Sequence, residues 1–209
     1  MGSTLYVVGI GPGSEAYILP AALRCIQRAE ILVGSQRALD DYSKEGQITF
    51  PVTGKLSLLH AFLEEKLKTS DVVVMVSGDT GYYSLLPYLK RSFSDTAAIQ
   101  VIPGISSVQL AFARMGEVWQ DADLLSFHGR IVPEEKLAYS AGKKAAFLTD
   151  KDYNPAKIAE VLLAHGWPSA AKMTVFERLG YEDERKAEGT LTQMQNLDGF
   201  AHAVVVVIG

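Results

Sequence analysis

Residues suited to binding a polar ligand follow directly after three apolar runs of this sequence. They lie in residues 9–13 (Gly-Ile-Gly-Pro-Gly), 77–83 (Ser-Gly-Asp-Thr-Gly-Tyr-Tyr) and 103–107 (Pro-Gly-Ile-Ser-Ser), named here the first, second and third loops. Glycine lets a backbone turn sharply and approach a ligand closely, because no Cβ stands in the way. Backbone N–H and C=O groups in such loops suit a zwitterionic or nucleoside-like ligand better than a bare phosphate. Asp79, the one carboxylate in these loops, either accepts hydrogen bonds from a ligand or caps the following helix.

A dinucleotide-binding turn is the first alternative for residues 9–13. Its fingerprint is Gly-x-Gly-x-x-Gly, with an acidic residue about 20 positions further on, at the end of the second strand. Here the third glycine comes early and follows a proline, and the second strand ends in Val33-Gly34 without a carboxylate. A P-loop is excluded because no Gly-Lys-Ser/Thr follows the turn.

Metal and serine-nucleophile chemistry find little support in the remaining residues. The four histidines are isolated from one another, and a single cysteine cannot build a structural zinc site, so we expect no metal site. A serine triad lacks its Gly-x-Ser-x-Gly elbow. Ser77, Ser106 and Ser107 are therefore expected to cap helices or bind a ligand rather than attack a substrate.

Alternating strands and helices must position the three loops. The apolar runs that precede them, rich in β-branched residues, are residues 5–8, 72–76 and 99–102. Such runs, with helical segments between them, predict a parallel sheet. The carboxyl ends of parallel strands meet at one end of the sheet, where ligands bind. Gly11, Asp79 and Ser106 are therefore expected to lie on the same side of the molecule.

The apolar periodicity predicts the other elements of the first half. A helix with Ser14 as its N-cap is expected after the first loop, with Ile18, Leu19, Leu23 and Ile26 on its apolar face. Further strands are expected at 31–34 and 47–50, and further helices at 56–68 and 85–91. Residues 103–107 are expected to open a helix that runs to about residue 115.

The composition of the sequence changes after Gly116, which predicts a second domain. Residues 117–123 are mainly polar, as in a linker. Strands are expected at 124–127, 144–148, 173–177, 185–191 and 203–208, and a helix at 155–165. The connection from 177 to 185 is short, which suits an antiparallel pair and a mixed sheet. The predicted fold is α/β with two domains, residues 1–117 and 118–209, and an active cleft between them.

Bulk composition limits the possible partners. The 209 residues are 48% hydrophobic and 21% charged, with a net charge of −4 and a pI near 5.6. This acidic balance argues against general binding of nucleic acids or anionic membrane surfaces and leaves open a local basic patch. No secretory signal is evident, and no apolar run approaches the ~20 residues that span a bilayer. We expect a cytoplasmic protein.

The three loops, in this order, resemble those of the tetrapyrrole methylase family. The resemblance extends from Leu5 to Gly209 and implies a two-part fold, S-adenosylmethionine as methyl donor, a small-molecule tetrapyrrole substrate and a homodimer. Within the family, residues 33–37, 127–130 and 177–181 are most similar to the carbon-5 methyltransferases of cobalamin biosynthesis, which act on precorrin-7 or its cobalt form. Methylation at carbon 15, with decarboxylation, would then need a separate protein.

The resemblance also implies which residues bind the methyl donor. These are Gly9, Gly11, Pro12, Gly13, Ser77, Gly78, Asp79, Tyr82, Ser106 and Ser107 in the first half, and Leu148, Leu179 and Gly180 in the second. Residue 80, often proline in the family, is Thr80 here.

The implied substrate is a flat ring with several carboxylates, which bidentate arginine contacts suit. Arg37, Arg130 and Arg178 follow strands in loops that contain glycine, and they are the candidates for this role. The alternative is that they aid solubility or form internal ion pairs. Methyl transfer from a sulfonium depends mainly on positioning, so no nucleophile is required. A base for a ring proton is left open among His128, Glu177, Tyr181 and Glu182.

Two other functions remain possible from the residues. The chain is either a methylase of another substrate in the same family, such as a different corrinoid carbon, uroporphyrinogen, diphthine or RNA, or a non-catalytic module that binds the donor or a tetrapyrrole. RNA is disfavoured by the acidic balance.

Overall fold

The computed structural model describes residues 2–209 and divides the chain into two compact units, one ending at Ser106 and the other running from Ser107 to Gly209. The division predicted after residue 117 differs from this one by the helix at 107–115. That predicted domain boundary stays a prediction.

The first unit contains a five-stranded, entirely parallel sheet. Its strands are β1 (Thr4–Gly9), β2 (Ile31–Gly34), β3 (Ile48–Pro51), β4 (Val72–Val76) and β5 (Ala98–Ile102). They are arranged in the order β3-β2-β4-β1-β5. The predicted parallel sheet is confirmed, and β1 and β4, the strands with the most continuous apolar runs, are neighbours near its centre.

Helices cover both faces of this sheet. They are α1 (Pro20–Arg28), α2 (Gln36–Tyr42), α3 (Leu56–Lys66) and α4 (Leu86–Phe93). Every residue of β4 is buried, because alternate side chains enter two different apolar clusters. Val72 and Val74 pack with Leu59 and Leu63 of α3, whereas Met75 packs in the cluster that includes α1 and α2. An unbroken apolar strand of this kind is typical of a parallel strand covered on both sides.

The start of the first helix was predicted wrongly. Ser14 has extended backbone angles and its side chain makes no capping hydrogen bond; a short 3₁₀ turn, Glu15–Tyr17, follows it. The α-helix begins at Pro20 instead, with Leu19 as its N-cap. Proline favours the first helical position because its φ is already helical and its missing N–H would have no partner there.

The second unit contains a mixed sheet. Its strands are β6 (Ala122–Ser126), β7 (Lys144–Leu148), β8 (Lys172–Glu177), β9 (Arg185–Thr190) and β10 (Val204–Ile208), in the order β6-β7-β10-β8-β9. Strands β6 and β7 are parallel, and the other neighbouring pairs are antiparallel. The predicted mixed sheet and the predicted antiparallel pairing of β8 with β9 are confirmed.

The helices of the second unit are α5 (Ser107–Met115), α6 (Glu134–Leu137), α7 (Pro155–Ala164) and α8 (Leu191–Met194). Two of them, α6 and α8, were not predicted, because four residues are too few to show a helical period. A signal for α8 was nevertheless present. Thr190 and Gln193 form a capping box, and this Thr-x-x-Gln pattern is recognisable in a sequence. Within residues 2–209, no helix is both long enough and apolar enough to cross a membrane.

Candidate functional site

The three loops meet at the carboxyl end of the first sheet, apart from Ser107, which is the first residue of α5 and belongs to the second unit. Strands β4, β1 and β5 are neighbours, so the segments that follow them are adjacent. The backbone N–H of Gly11 donates to the carbonyl oxygen of Gly78 (3.2 Å), and the N–H of Gly78 donates to the carbonyl oxygen of Gly11 (2.8 Å). A Cβ on Gly78 would lie 3.7 Å from the Cα of Ser106. The predicted convergence of these loops is thus observed.

Two glycines allow the loop backbones to touch one another. A Cβ on Gly9 would lie 2.6 Å from the amide nitrogen of Gly104 and 2.8 Å from the carbonyl oxygen of Gly78. A Cβ on Gly104 would overlap that same oxygen. The sequence interpretation, in which glycine provides close approach to a ligand, is therefore incomplete. At positions 9 and 104 the contact that requires glycine is between backbones of the protein itself.

Asp79 connects the second loop to the third. Its Oδ1 accepts a hydrogen bond from the N–H of Gly81 (2.8 Å), and its Oδ2 accepts one from the N–H of Gly104 (3.1 Å). It does not cap the helix that follows, because α4 begins at Leu86 with Leu85 as its N-cap. The half-buried carboxylate thus holds the backbone of both loops.

Hydroxyl and aromatic groups line the second and third loops beside these backbone contacts. Ser77 is exposed, Tyr82 is half-buried and Ser106 is buried. The ring of Tyr82 meets that of Tyr83 edge-on, with 4.7 Å between centroids. Burial, and to a lesser degree the proximity of Tyr83, raises the pKa of Tyr82, so its phenol stays protonated at neutral pH.

Arg37 lies beside the second loop but not in a loop of its own. The prediction that it occupies a loop is wrong, because Ser35 caps α2 by accepting a hydrogen bond from the N–H of Ala38 (3.2 Å). This places Arg37 in the first turn of the helix. Its Nη2 donates to the Oγ of Ser77 (3.4 Å), so an arginine stands at the border of the loops.

The carboxyl ends of β6, β7 and β8 lie together at one end of the second sheet. Strand β6 is parallel to β7, and both β7 and β8 are antiparallel to β10, so all three run in the same direction. The segments that follow them contain most of the site residues predicted for this half. These are His128 and Arg130 after β6, Leu148 at the end of β7, and Arg178, Leu179, Gly180 and Tyr181 after β8.

Thr149 is fixed at this end of the second sheet by buried hydrogen bonds that the sequence did not reveal. Its N–H and its Oγ1 both donate to the carbonyl oxygen of Ala203 (3.1 and 3.0 Å), and its Oγ1 accepts from the N–H of Ala203 (2.7 Å). The two residues are 54 positions apart. The hydroxyl therefore ties the segment after β7 to the start of β10.

Asp150 shapes the turn that follows. Its Oδ1 accepts hydrogen bonds from the N–H groups of Tyr153 (2.7 Å) and Asp152 (2.9 Å). The bond from Tyr153 is the main cause of a lowered pKa at Asp150, and the nearby exposed His128 adds a small effect in the same direction. The ring of Tyr153 stacks on that of Phe127 at 4.1 Å between centroids, which connects this turn to the segment after β6.

The loop between β8 and β9, residues 178–184, is named here the hairpin loop. Its last residue, Glu184, accepts two hydrogen bonds from Arg114 at the end of α5, from Nε (2.9 Å) and from Nη2 (3.2 Å). Oε2 of Glu184 also accepts a hydrogen bond from the N–H of Gly180 (2.9 Å). The bond to Arg114 lowers the pKa of Glu184, so it is charged at neutral pH. Neither residue was singled out in the sequence, because they lie 70 positions apart.

The exposed side of the hairpin loop carries Arg178, whose guanidinium packs on the ring of Tyr181 at 4.6 Å from its centroid. The Nε of Arg178 forms an ion pair with Asp183 (2.5 Å). The side chain of Leu179 is buried, so a ligand contact at this position would fall to its backbone.

Both carboxylate oxygens of Glu177, a candidate base, accept hydrogen bonds from other residues of this chain. Its Oε2 accepts a hydrogen bond from Arg185 (2.8 Å) and its Oε1 accepts one from the N–H of Ala201 (2.8 Å). His128 and Glu182 are exposed, and Tyr181 is half-buried. A base among these residues stays a prediction, as does the active cleft.

The arrangement fits a nucleoside and amino-acid ligand better than a metal. Hydroxyl, phenol and backbone groups meet at the carboxyl end of the first sheet, and they suit the ribose, base and amino-acid parts of S-adenosylmethionine. In the part of the chain that the structure describes, no three His, Cys, Asp or Glu side chains form a group able to hold a metal ion.

Comparison with known proteins identifies relatives over the length of the chain. The family model for tetrapyrrole (corrin/porphyrin) methylases matches residues 4–195. A probable cobalt-precorrin-7 C(5)-methyltransferase of Methanocaldococcus jannaschii is 31% identical over 97% of this chain and 96% of its own length. The cobalt-precorrin-7 C(5)-methyltransferase of Salmonella typhimurium is 34% identical over 87% of this chain and 88% of its own.

A solved structure has the same fold. The methyltransferase CobJ superimposes with a TM-score of 0.83 over 98% of this chain and 93% of its own, at 20% identity. The family match covers both compact units and all three loops. The chain therefore belongs to the tetrapyrrole methylase family and is an S-adenosylmethionine-dependent methyltransferase.

Proposed function

We propose that this protein transfers a methyl group from S-adenosylmethionine to carbon 5 of cobalt-precorrin-7, or of its cobalt-free form, in cobalamin biosynthesis. The observation that carries the proposal is the similarity to a carbon-5 methyltransferase over 97% of this chain and 96% of the relative. Because that similarity runs through both sheets, it includes the loops at the carboxyl end of each.

We propose residues of the three loops as donor contacts in the first unit, and Leu148 and the hairpin loop as donor contacts in the second. Bound S-adenosylmethionine supplies an activated methyl group on a sulfonium. The chain's own task is to hold two ligands in near-attack geometry, which accounts for roughly 7–11 kcal/mol of a barrier in well-oriented reactions.

The rigid contacts at the carboxyl end of the first sheet suit this task. Asp79 holds the backbones of the second and third loops through two hydrogen bonds. Gly9 and Gly104 let the backbones of the first, second and third loops lie against one another. Loops fixed in this way keep Ser77, Gly78 and Tyr82 in place before a ligand arrives, so little ordering entropy is lost on binding.

Three arginines are proposed to bind the carboxylates of the macrocycle. Arg37 stands beside Ser77, and Arg178 is oriented by the ring of Tyr181 and by Asp183. Arg130 is exposed in the turn after β6. Bidentate pairing of guanidinium with carboxylate would give the substrate its orientation.

Substitution of Arg130 tests this assignment. Arg130→Ala should raise KM for the macrocycle while the affinity for S-adenosylmethionine stays near that of the wild type. Equal loss of affinity for both ligands would indicate a structural role for Arg130 instead.

Incubation with methyl-labelled S-adenosylmethionine and a panel of precorrins tests the reaction. We expect mass spectrometry to show a gain of one methyl on precorrin-7 or its cobalt form, and NMR to locate the label at carbon 5. Label at another carbon or on another tetrapyrrole would refute the substrate. Binding of both ligands without transfer would support a sensor.

We further propose a cytoplasmic homodimer that methylates carbon 5 alone, with carbon 15 left to a separate decarboxylating methyltransferase. Sedimentation of the purified protein tests the dimer. Product analysis with the carbon-5-methylated intermediate tests the division of labour, because a second methylation by this chain would contradict it.

A further inference from the structure

We propose that Arg114 is a positioning residue, which holds the hairpin loop in its donor-binding form through Glu184. The inference rests on the proposed function, in which Leu179 and Gly180 of this loop contact S-adenosylmethionine. Arg114 itself would touch neither ligand. Its effect would pass through one carboxylate to the backbone of the loop.

The geometry at Glu184 supports this role. The guanidinium of Arg114 meets both carboxylate oxygens, at 2.9 and 3.2 Å, in the bidentate arrangement that makes such bonds strong. Oε2 of Glu184 also accepts the N–H of Gly180 at 2.9 Å. Arg114 therefore orients the carboxylate, and the carboxylate in turn orients the peptide before Gly180.

The backbone of the hairpin loop needs such support. Gly180 has a φ of 84°, and Arg178 has a φ of 54°, which is costly for a residue with a Cβ. Two backbone hydrogen bonds, from the N–H of Tyr181 to Arg178 (3.0 Å) and from the N–H of Glu184 to Tyr181 (3.2 Å), close turns inside the loop but do not connect it to another element. Glu184 holds this loop by accepting the N–H of Gly180, and Arg114 of α5 holds Glu184.

The other ion pair of the loop is a weaker anchor. Side chains of Arg178 and Asp183 are 51% and 64% exposed, and exposed pairs contribute little. Those of Arg114 and Glu184 are 39% and 20% exposed, and the pair joins the loop to a helix rather than to itself. Of the two ion pairs, that of Arg114 is therefore the one that connects the loop to another element.

Helix α5 is a suitable anchor for this contact. Val108, Ala111 and Phe112 of this helix are fully buried, so the helix does not move easily. Arg114 lies in its last turn, where a cation is also stabilised by the helix dipole.

Calorimetric binding of S-adenosylhomocysteine tests the inference without any macrocycle. We expect Arg114→Ala to bind it about tenfold more weakly, the loss expected for one charge-assisted contact. With turnover, KM for S-adenosylmethionine should rise while kcat at saturating donor is kept. Arg114→Lys retains the charge but not the bidentate contact and should recover part of the affinity. Glu184→Gln keeps an acceptor for Gly180 and should lie between Arg114→Ala and the wild type.

Lys157→Ala is the matched control, since it removes an ion pair with Glu160 on the exposed face of α7 in the same unit. Its donor affinity should equal that of the wild type. Wild-type affinity in folded Arg114→Ala and Glu184→Gln would overturn the inference; if Arg114→Ala does not fold, Arg114→Lys and Glu184→Gln decide in its place. A wild type that binds S-adenosylhomocysteine but methylates no precorrin would refute the proposed substrate, and the binding data would still judge Arg114.

Discussion

The two units of this protein hold their loops by different means. In the first unit, glycine backbones lie against each other, and the linking carboxylate, Asp79, is 25 positions from its partner Gly104. In the second unit, the hairpin loop is held by an ion pair between Arg114 and Glu184, 70 positions apart. The first arrangement depends on glycines that have no side chain, joined by one short carboxylate, and the second depends on two long charged side chains.

The difference follows from the directions of the strands. Three neighbouring parallel strands end side by side, so three short loops meet without further help. In the mixed sheet, β10 separates β7 from β8 and enters from the opposite direction. In this unit side chains add to the backbone contacts: Oγ1 of Thr149 accepts the N–H of Ala203, and Oε2 of Glu184 accepts the N–H of Gly180.

Gly104→Ala should lower stability more than the other variants, because the new Cβ would meet backbone atoms, which cannot rotate away as a side chain does. The new Cβ would overlap the carbonyl oxygen of Gly78 and lie 2.8 Å from the carbonyl carbon of Gly9. We expect the free energy of unfolding to fall by about 3 kcal/mol, measured by urea denaturation, together with loss of S-adenosylhomocysteine binding.

Gly54→Ala is the control for this variant. Nothing lies within 4 Å of a Cβ at this position, and its backbone is not left-handed. Its free energy of unfolding should stay near that of the wild type. Equal stabilities of the two variants would mean that the first and third loops do not need their close contact.

Thr149→Val tests the buried hydroxyl of the second unit. Valine has the same shape but leaves the N–H of Ala203 without its acceptor at 2.7 Å. Leaving a buried donor unpaired costs about 2 kcal/mol, which should appear in chemical denaturation. Thr149→Ser keeps the hydroxyl and should lose less than half as much. A neutral Thr149→Val would show that this hydroxyl does not hold the start of β10.

Asp79→Asn tests whether Asp79 acts by holding the two loops together or by contacting the ligand. The amide retains one acceptor oxygen and turns an NH₂ group toward the other N–H, so the free energy of unfolding should fall by about 1 kcal/mol. Donor affinity, measured by calorimetry, should decrease along with it. If affinity falls while the urea midpoint is unchanged, Asp79 acts on the ligand directly.

The smallest expected effect is a pH dependence at Glu184. Its pKa is lowered from the ordinary 4.5 by the hydrogen bond from Arg114. Its contribution to stability is therefore complete above that value and is lost as the pH falls through the lower pKa of the folded state. The difference in urea midpoint between the wild type and Glu184→Gln should be largest near neutral pH and shrink below about pH 4.5.

Glu188→Gln serves as the comparison for this measurement. The pKa of Glu188 is also lowered, by Lys186, but both side chains are about half exposed. Its effect on the midpoint should be smaller and should disappear in salt. A larger effect at Glu188 than at Glu184 would contradict the importance given to the Arg114 contact.

Local patterns predicted the parallel sheet, the mixed sheet and the meeting of the three loops. Runs such as Val72–Val76 have an obvious β pattern, and glycine at the end of a strand is visible wherever the strand lies. The errors have local causes as well. The first helix begins at Pro20 rather than after Ser14, and Ser35 caps a helix that includes Arg37. Helices α6 and α8 are too short to show a helical period.

Local patterns of residues were enough to predict the family, the α/β architecture and the loops that meet at the carboxyl end of the first sheet, because each depends on residues close together in the chain. The hydrogen bonds of Asp79 with Gly104, of Thr149 with Ala203 and of Arg114 with Glu184 became known from the folded chain. Any exposed arginine and any exposed glutamate look alike in a sequence. Their pairing depends on where distant elements place them, and that placement results from the packing of the whole unit.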